Sequence, residues 1–101
     1  MVFYNVTCNV GADIAEQWIA WMKEVHLPEV LATGLFIEHT FSKLHTEVEG
    51  NEGQNYCIQY KLKSMEDYQQ YVTQFGPALK QKTAAKWGEQ VLAFRSLMEE
   101  V

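Results

Sequence analysis

The stretch VFYNVTCNVGADIAEQWIAWMKEVHLP, residues 2–28, carries both periodicities that set the fold. From Val2 to Val10 the residues alternate, with Val2, Tyr4, Val6, Cys8 and Val10 on one side and Phe3, Asn5, Thr7 and Asn9 on the other. That period of two marks a half-buried strand. Gly11 breaks the run. Asp13 then stands as an N-cap with Glu16 three residues on, and Ile14, Trp18, Trp21, Met22 and Val25 recur at helical spacing. A proline lacks the amide hydrogen and its ring crowds the preceding turn, so the helix is expected to end before Pro28, with a short separate turn running to Gly34.

Working outward, the pattern repeats. Residues 35–47 read as a second strand through Phe36, Ile37, Thr40 and Phe41, its alternation disturbed around His39 and His45, where a bulge is expected. The turn-rich residues 49–55 lead into a third strand, with Tyr56, Ile58, Tyr60 and Leu62 on one face and Cys57, Gln59 and Lys61 on the other, so strands two and three form a hairpin. Ser64 with Asp67 opens a second helix whose stripe is Met65, Tyr68, Val72, Phe75 and Leu79, and Pro77 is expected to kink or restart it. Gly88 ends that helix. Residues 91–98 form the last strand, with Leu92, Phe94 and Met98 as its apolar phase.

The order βαββαβ with right-handed crossovers gives one α+β ferredoxin-like domain over residues 1–101. In it a four-stranded antiparallel sheet has strands one and three at its centre and both helices on one face. Composition agrees, at 48% hydrophobic and 21% charged, well inside the range of chains that bury a core. Thirteen acidic residues against eight basic ones leave a net charge of −5, which repels a polyanion, so nucleic acid is not an expected partner. No apolar run approaches the ~20 residues that span a bilayer, and the N-terminus lacks a basic region and cleavage site. A cytoplasmic protein without membrane contact is expected, with Cys8 and Cys57 as reduced thiols on opposite faces of the sheet.

With both helices on one side, the other sheet face is left to water, a ligand or a second copy of the chain. If the apolar phases of strands one, three and four turn to the helices, this open face carries Asn5, Thr7, Asn9, Cys57, Gln59, Lys61, Val91, Ala93, Arg95 and Leu97, with Phe36 and Glu38 from strand two. Two readings stand: a solvated surface with cross-strand pairs such as Glu38 with Arg95, or a cleft whose amides and hydroxyls orient a small ligand. The candidate ligand-binding residues are Asn5, Thr7, Trp21, His26, Glu38, Gln59 and Arg95. His26 titrates near neutrality or simply packs at its helix end. Trp18, Trp21 and Trp87 line an aromatic pocket or fill the core. His39 and His45, six residues apart in one strand, are about 20 Å from each other and cannot share an ion. No metal site and no cofactor are indicated.

The segments YNVTCNV, EVHLPEVLATGLF, SMEDYQQY, FGPALKQK and VLAFRSLMEEV together resemble a family of short bacterial proteins known as a domain of unknown function, and its fold is similar to that of the dimeric α/β-barrel superfamily. The resemblance implies a homodimer paired through the open sheet faces, with a small molecule held between the sheets. That superfamily includes cofactor-independent monooxygenases and haem-degrading enzymes, which have a strand-one asparagine for which Asn5 or Asn9 stands in. Haem-degrading members also have a second-helix histidine, and residues 65–87 contain none. The alternative implied is therefore a monooxygenase-like enzyme that uses Asn5, Trp21 and His26 to orient a small aromatic or quinol-type substrate.

Overall fold

A computed structural model describes residues 1–46 and 53–101; most of the turn expected over 49–55 lies outside them. Strands β1 (Val2–Val10), β2 (Phe36–Leu44), β3 (Gln54–Leu62) and β4 (Val91–Glu99) form one antiparallel sheet in the order β2-β3-β1-β4. The fold is α+β and ferredoxin-like. The alternating phases of β1 and β3 pair in register, Tyr4 with Tyr60 and Val6 with Ile58, and turn inward. Val2, Val10, Ile58 and Leu62 are among the most deeply buried side chains. Trp18, Met22, Leu27 and Val30 from the first helix and Tyr71, Leu79 and Trp87 from the second close over them. Cys8 is buried on this side, and Cys57, which pairs with Thr7, faces the other way; both are free thiols.

Neither proline breaks its helix. The first helical run is α-helical over Ala15–Trp21, widens into a π turn over Met22–His26, and returns to α-helix over Leu27–Leu31. The second follows the same plan: Met65–Gln70, a π turn over Tyr71–Phe75, then Gly76–Trp87. In each, the residue before proline donates five residues back, Leu27 N–H to the Met22 carbonyl and Gly76 N–H to the Tyr71 carbonyl. In a regular helix the proline ring would strike the carbonyl four residues earlier. One extra residue in the turn moves that carbonyl aside, and the helix continues, with Ala32 N–H reaching the Pro28 carbonyl at 2.9 Å.

Of the two expected caps, one forms. The Ser64 hydroxyl accepts from Asp67 N–H at 3.2 Å. Asp13 does not cap; Ile14 occupies that position without a side-chain bond, and its own N–H donates to the Gly11 carbonyl at 3.1 Å, so a backbone turn starts the first helix.

Strand two carries its bulge between Phe36 and Glu38, ahead of His39. Phe36 therefore turns to the helices, its ring 4.9 Å from both Tyr60 and Tyr71, and not to the open face. Glu38 and Thr40 face outward, while His39 and Phe41 pair with the inward Tyr60 and Ile58.

The larger correction is in β4. Directly paired residues share a face, and β4 pairs Val91 with Val10, Ala93 with Cys8, Arg95 with Val6 and Leu97 with Tyr4. These four thus lie on the helix side. Leu92, Phe94 and Met98 lie on the open face, 51%, 61% and 44% exposed. Both phases of β4 are apolar, so the pattern does not choose between them; the short turn Gly88–Gln90, with Gly88 at φ 57°, delivers Val91 opposite Val10 and decides it. The pairing of Glu38 with Arg95 fails for the same topological reason. β2 and β4 are opposite edges of the sheet, and Glu38 meets Lys61 at 3.3 Å instead.

Candidate functional site

A cavity of about 330 Å³ opens between the helices and the β1–β4 side of the sheet. Tyr4, Val6 and Cys8 of β1, Ile58 and Tyr60 of β3, and Ala93 and Arg95 of β4 line the sheet side. Trp18, Met22 and His26 of the first helix and Tyr71, Leu79, Lys80 and Thr83 of the second line the other. It stays open because the helices do not cover β4, whose residues are exposed on both faces from Leu92 onward. Each π turn contributes to the wall: Met22 and His26 from one, Tyr71 from the other. Such widened turns re-aim side chains and often occur at functional sites.

Burial governs the chemistry of these groups. It pushes the Tyr60 phenol well above its usual range, the Tyr71 phenol and the Cys8 thiol each up to about 12, and Tyr4 upward as well, all against the opposing pull of the Arg95 charge. At neutral pH the phenols therefore remain hydroxyl donors. Cys8 remains a thiol and supplies no nucleophile. His26 moves the other way: burial disfavours its charged form and Arg95 adds to this, with Glu29 opposing, so its pKa falls below 6.5. The neutral imidazole stacks on Trp21 at 5.3 Å, and Trp21 in turn meets Trp87 edge-on at 5.9 Å.

This has a measurable consequence. The unfolded chain binds a proton at His26 more readily than the folded one, so the stability it confers is full above about pH 6.5 and is lost as pH falls through the lower folded value. The melting temperature of the wild type should drop more steeply than that of a His26→Gln variant between about pH 7.5 and about 5.5. Parallel pH profiles would contradict this assignment.

The seven residues singled out in the sequence are divided by the fold. Asn5, Thr7, Glu38 and Gln59 lie on the open face, with Asn5 paired to both Gln59 and Ser96 and its buried Oδ1 without a partner among the described residues. His26 and Arg95 line the cavity on the opposite face, and Trp21 backs His26. Asn5 therefore cannot act on the same ligand as His26. The open face is also less polar than the sequence implied, because β4 gives it Leu92, Phe94 and Met98. Of the three tryptophans weighed as pocket walls, Trp18 lines the cavity. Sequence reasoning missed Tyr4 and Tyr60, which fit the apolar phases of their strands, and Tyr71, which lies outside the stripe read for the second helix. The available signal was that Tyr4 and Tyr60 each carry a hydroxyl in a phase filled mostly by hydrocarbon.

Solved structures with this fold cover the whole chain at low identity. HapK from Hahella chejuensis aligns with a TM-score of 0.72 at 7% identity, over 100% of this chain and 93% of its own. A dimeric ferredoxin-like protein from an uncultured marine organism aligns at 0.64 with 14% identity, over 99% and 97%. SnoaB from Streptomyces nogalater, described as a cofactor-independent oxygenase, aligns at 0.64 with 17% identity, over 99% and 92%. Likeness at this level is one of fold. Among curated proteins none matches the chain. The match of residues 1–101 to the family described as Domain of unknown function (DUF4286) is complete, and the chain belongs to it.

Proposed function

We propose that this protein binds a flat aromatic small molecule in the cavity between its helices and its sheet. The observation that carries the reading is the cavity itself: about 330 Å³, walled by Trp18, Tyr60 and Tyr71 and lined also by His26, Thr83 and Arg95. That combination of apolar walls with a few polar groups, at the small end of ligand-site volumes, is what a specific small-molecule site requires. This moves the ligand from between two sheets to the other side of the sheet. The open face is left for a second copy of the chain, with Leu92, Phe94 and Met98 as its apolar strip.

Thermal-shift screening of the full chain against aromatic metabolites tests the first part, since a ligand bound only by the folded state raises the melting temperature. Ala93→Trp, which fills the cavity from β4, should remove that rise while leaving the fold intact. A rise unchanged in the variant would rule the cavity out. For the second part, light scattering at micromolar concentration should show a dimer burying more than about 1,000 Å², and Phe94→Glu should shift it to monomer. A wild-type monomer would refute the pairing.

One observation favours a second reading, enzymatic and of monooxygenase type. His26 is a neutral base at physiological pH inside the cavity, and one protein of the same fold is described as a cofactor-independent oxygenase. In this reading the imidazole takes a proton from a bound phenol or quinol, and a ring carbon of the resulting anion bonds dioxygen as a hydroperoxide. Loss of water leaves a quinone or hydroxyquinone, with one oxygen atom on the ring, the other in water and all electrons supplied by the substrate. Oxygen uptake with hydroquinones, lost in His26→Ala, supports it; uptake equal to the buffer blank removes it.

A further inference from the structure

The charge lining the cavity is opposite in sign to that of the chain. Although acidic residues outnumber basic ones thirteen to eight, the described residues that line the cavity include Arg95 and Lys80 and no carboxylate. Glu29 and Glu38, the two carboxylates that form ion pairs among the described residues, bind Lys82 and Lys61 and leave both cavity cations alone. Arg95 stands on the exposed edge strand, so a ligand's charge can meet it without being fully stripped of water. Its charge is felt by Tyr4, Cys8, His26, Tyr60 and Tyr71. A guanidinium is a planar fork suited to a carboxylate, and here it sits beside flat aromatic walls.

We propose that the ligand of this cavity is an aromatic anion, its ring system lying among Trp18, Tyr60 and Tyr71 and its carboxylate, or an equivalent oxyanion, paired with the guanidinium of Arg95. The proposal rests on the reading of the cavity as the ligand site and adds the class of ligand. Lys80 contributes at longer range, as a second cation on the second helix.

Calorimetric titration of the full chain with 2-naphthoate and its uncharged counterpart 2-naphthamide tests it. The wild type should bind the carboxylate at least about tenfold more tightly, the range of a hydrogen bond to a charged partner. Arg95→Gln should erase that preference, costing the naphthoate far more affinity than the naphthamide, Arg95→Lys should retain part of it, and Lys80→Gln should cost less than Arg95→Gln. Arg95 is solvent-exposed, so its variants should melt within a few degrees of the wild type.

Equal affinity for the two probes, or a preference that survives Arg95→Gln, overturns the anion assignment. Ala93→Trp separates that failure from failure of the site. If both probes bind equally and both are blocked by Ala93→Trp, the cavity stands and the anion does not. If neither probe binds, or binding ignores Ala93→Trp, both fall.

Discussion

Trp18→Ala is expected to destabilise the protein by about 3–5 kcal/mol, the range for truncating a buried tryptophan. For a domain of this length that lowers the melting temperature by roughly 15–30 °C. Trp18 is 1% exposed and holds the first helix to the sheet, with its ring 5.6 Å from Phe41 and 5.3 Å from Tyr56. Neither neighbour can follow a truncated side chain, since both are anchored in strands, so the void persists. The indole N–H has no partner among the described residues, and an unpaired buried donor is itself costly. Trp18→Phe should therefore lose less than half as much as Trp18→Ala. Urea denaturation of the two variants checks both statements, and a loss under about 1 kcal/mol for the alanine variant would contradict the packing described.

The second large effect is expected at Gly53, where the chain enters β3. Its φ is +93°, and an added Cβ would lie 2.5 Å from the Val10 carbonyl oxygen, a backbone atom that cannot yield without disturbing the end of β1. Gly53→Ala combines that collision with the cost of a left-handed backbone for an L-residue, so a loss on the order of 3 kcal/mol is expected. Gly34 supplies the comparison. It sits at φ +77° with nothing within 4 Å of the added carbon, so Gly34→Ala should cost only the conformational part, about 1–2 kcal/mol. Equal losses at the two positions, measured by denaturant melts, would show that the close approach to Val10 does not matter.

The cavity and the open face pull the interpretation of this protein apart. A reading from sequence puts ligand and partner on one surface, because it counts the sheet as having a covered side and a free side. The structure has three zones: a closed core around Val2, Val10 and Leu62, an open cavity that runs from Ile58 and Tyr60 across β1 to β4, and the open face behind. The uncovered zone exists because β4 is exposed on both faces. For the same reason Arg95 can be charged, exposed and a cavity residue at once.

How much of this was legible follows from local physics. β1 and β3 alternate cleanly because each has one wet and one dry face, and their inward phase was readable from period alone; their pairing followed from the element order, and β3 starts earlier than read, at Gln54 inside the expected turn. The Ser64 cap was readable because a hydroxyl three residues ahead of a free amide needs no tertiary partner. His26 stood out because imidazole is rare and titratable, although its depressed pKa depends on burial the sequence does not display. Asp13 misled, since a cap is only one way to satisfy a helix start and the Gly11 carbonyl supplied another.

Helix, strand and order were thus determined by the sequence itself, through periodicities that any neighbour in the chain can read. The facing of β4 was decided only by tertiary structure, because both of its phases are apolar and either would bury hydrocarbon. Pairing with β1 in the register Val10 with Val91 broke that tie, sending Arg95 to the helices and Phe94 to the open face. The passage of both helices through their prolines was decided the same way: covering a nine-residue strand takes a long helix, and widening one turn keeps it whole where a break would leave core residues uncovered.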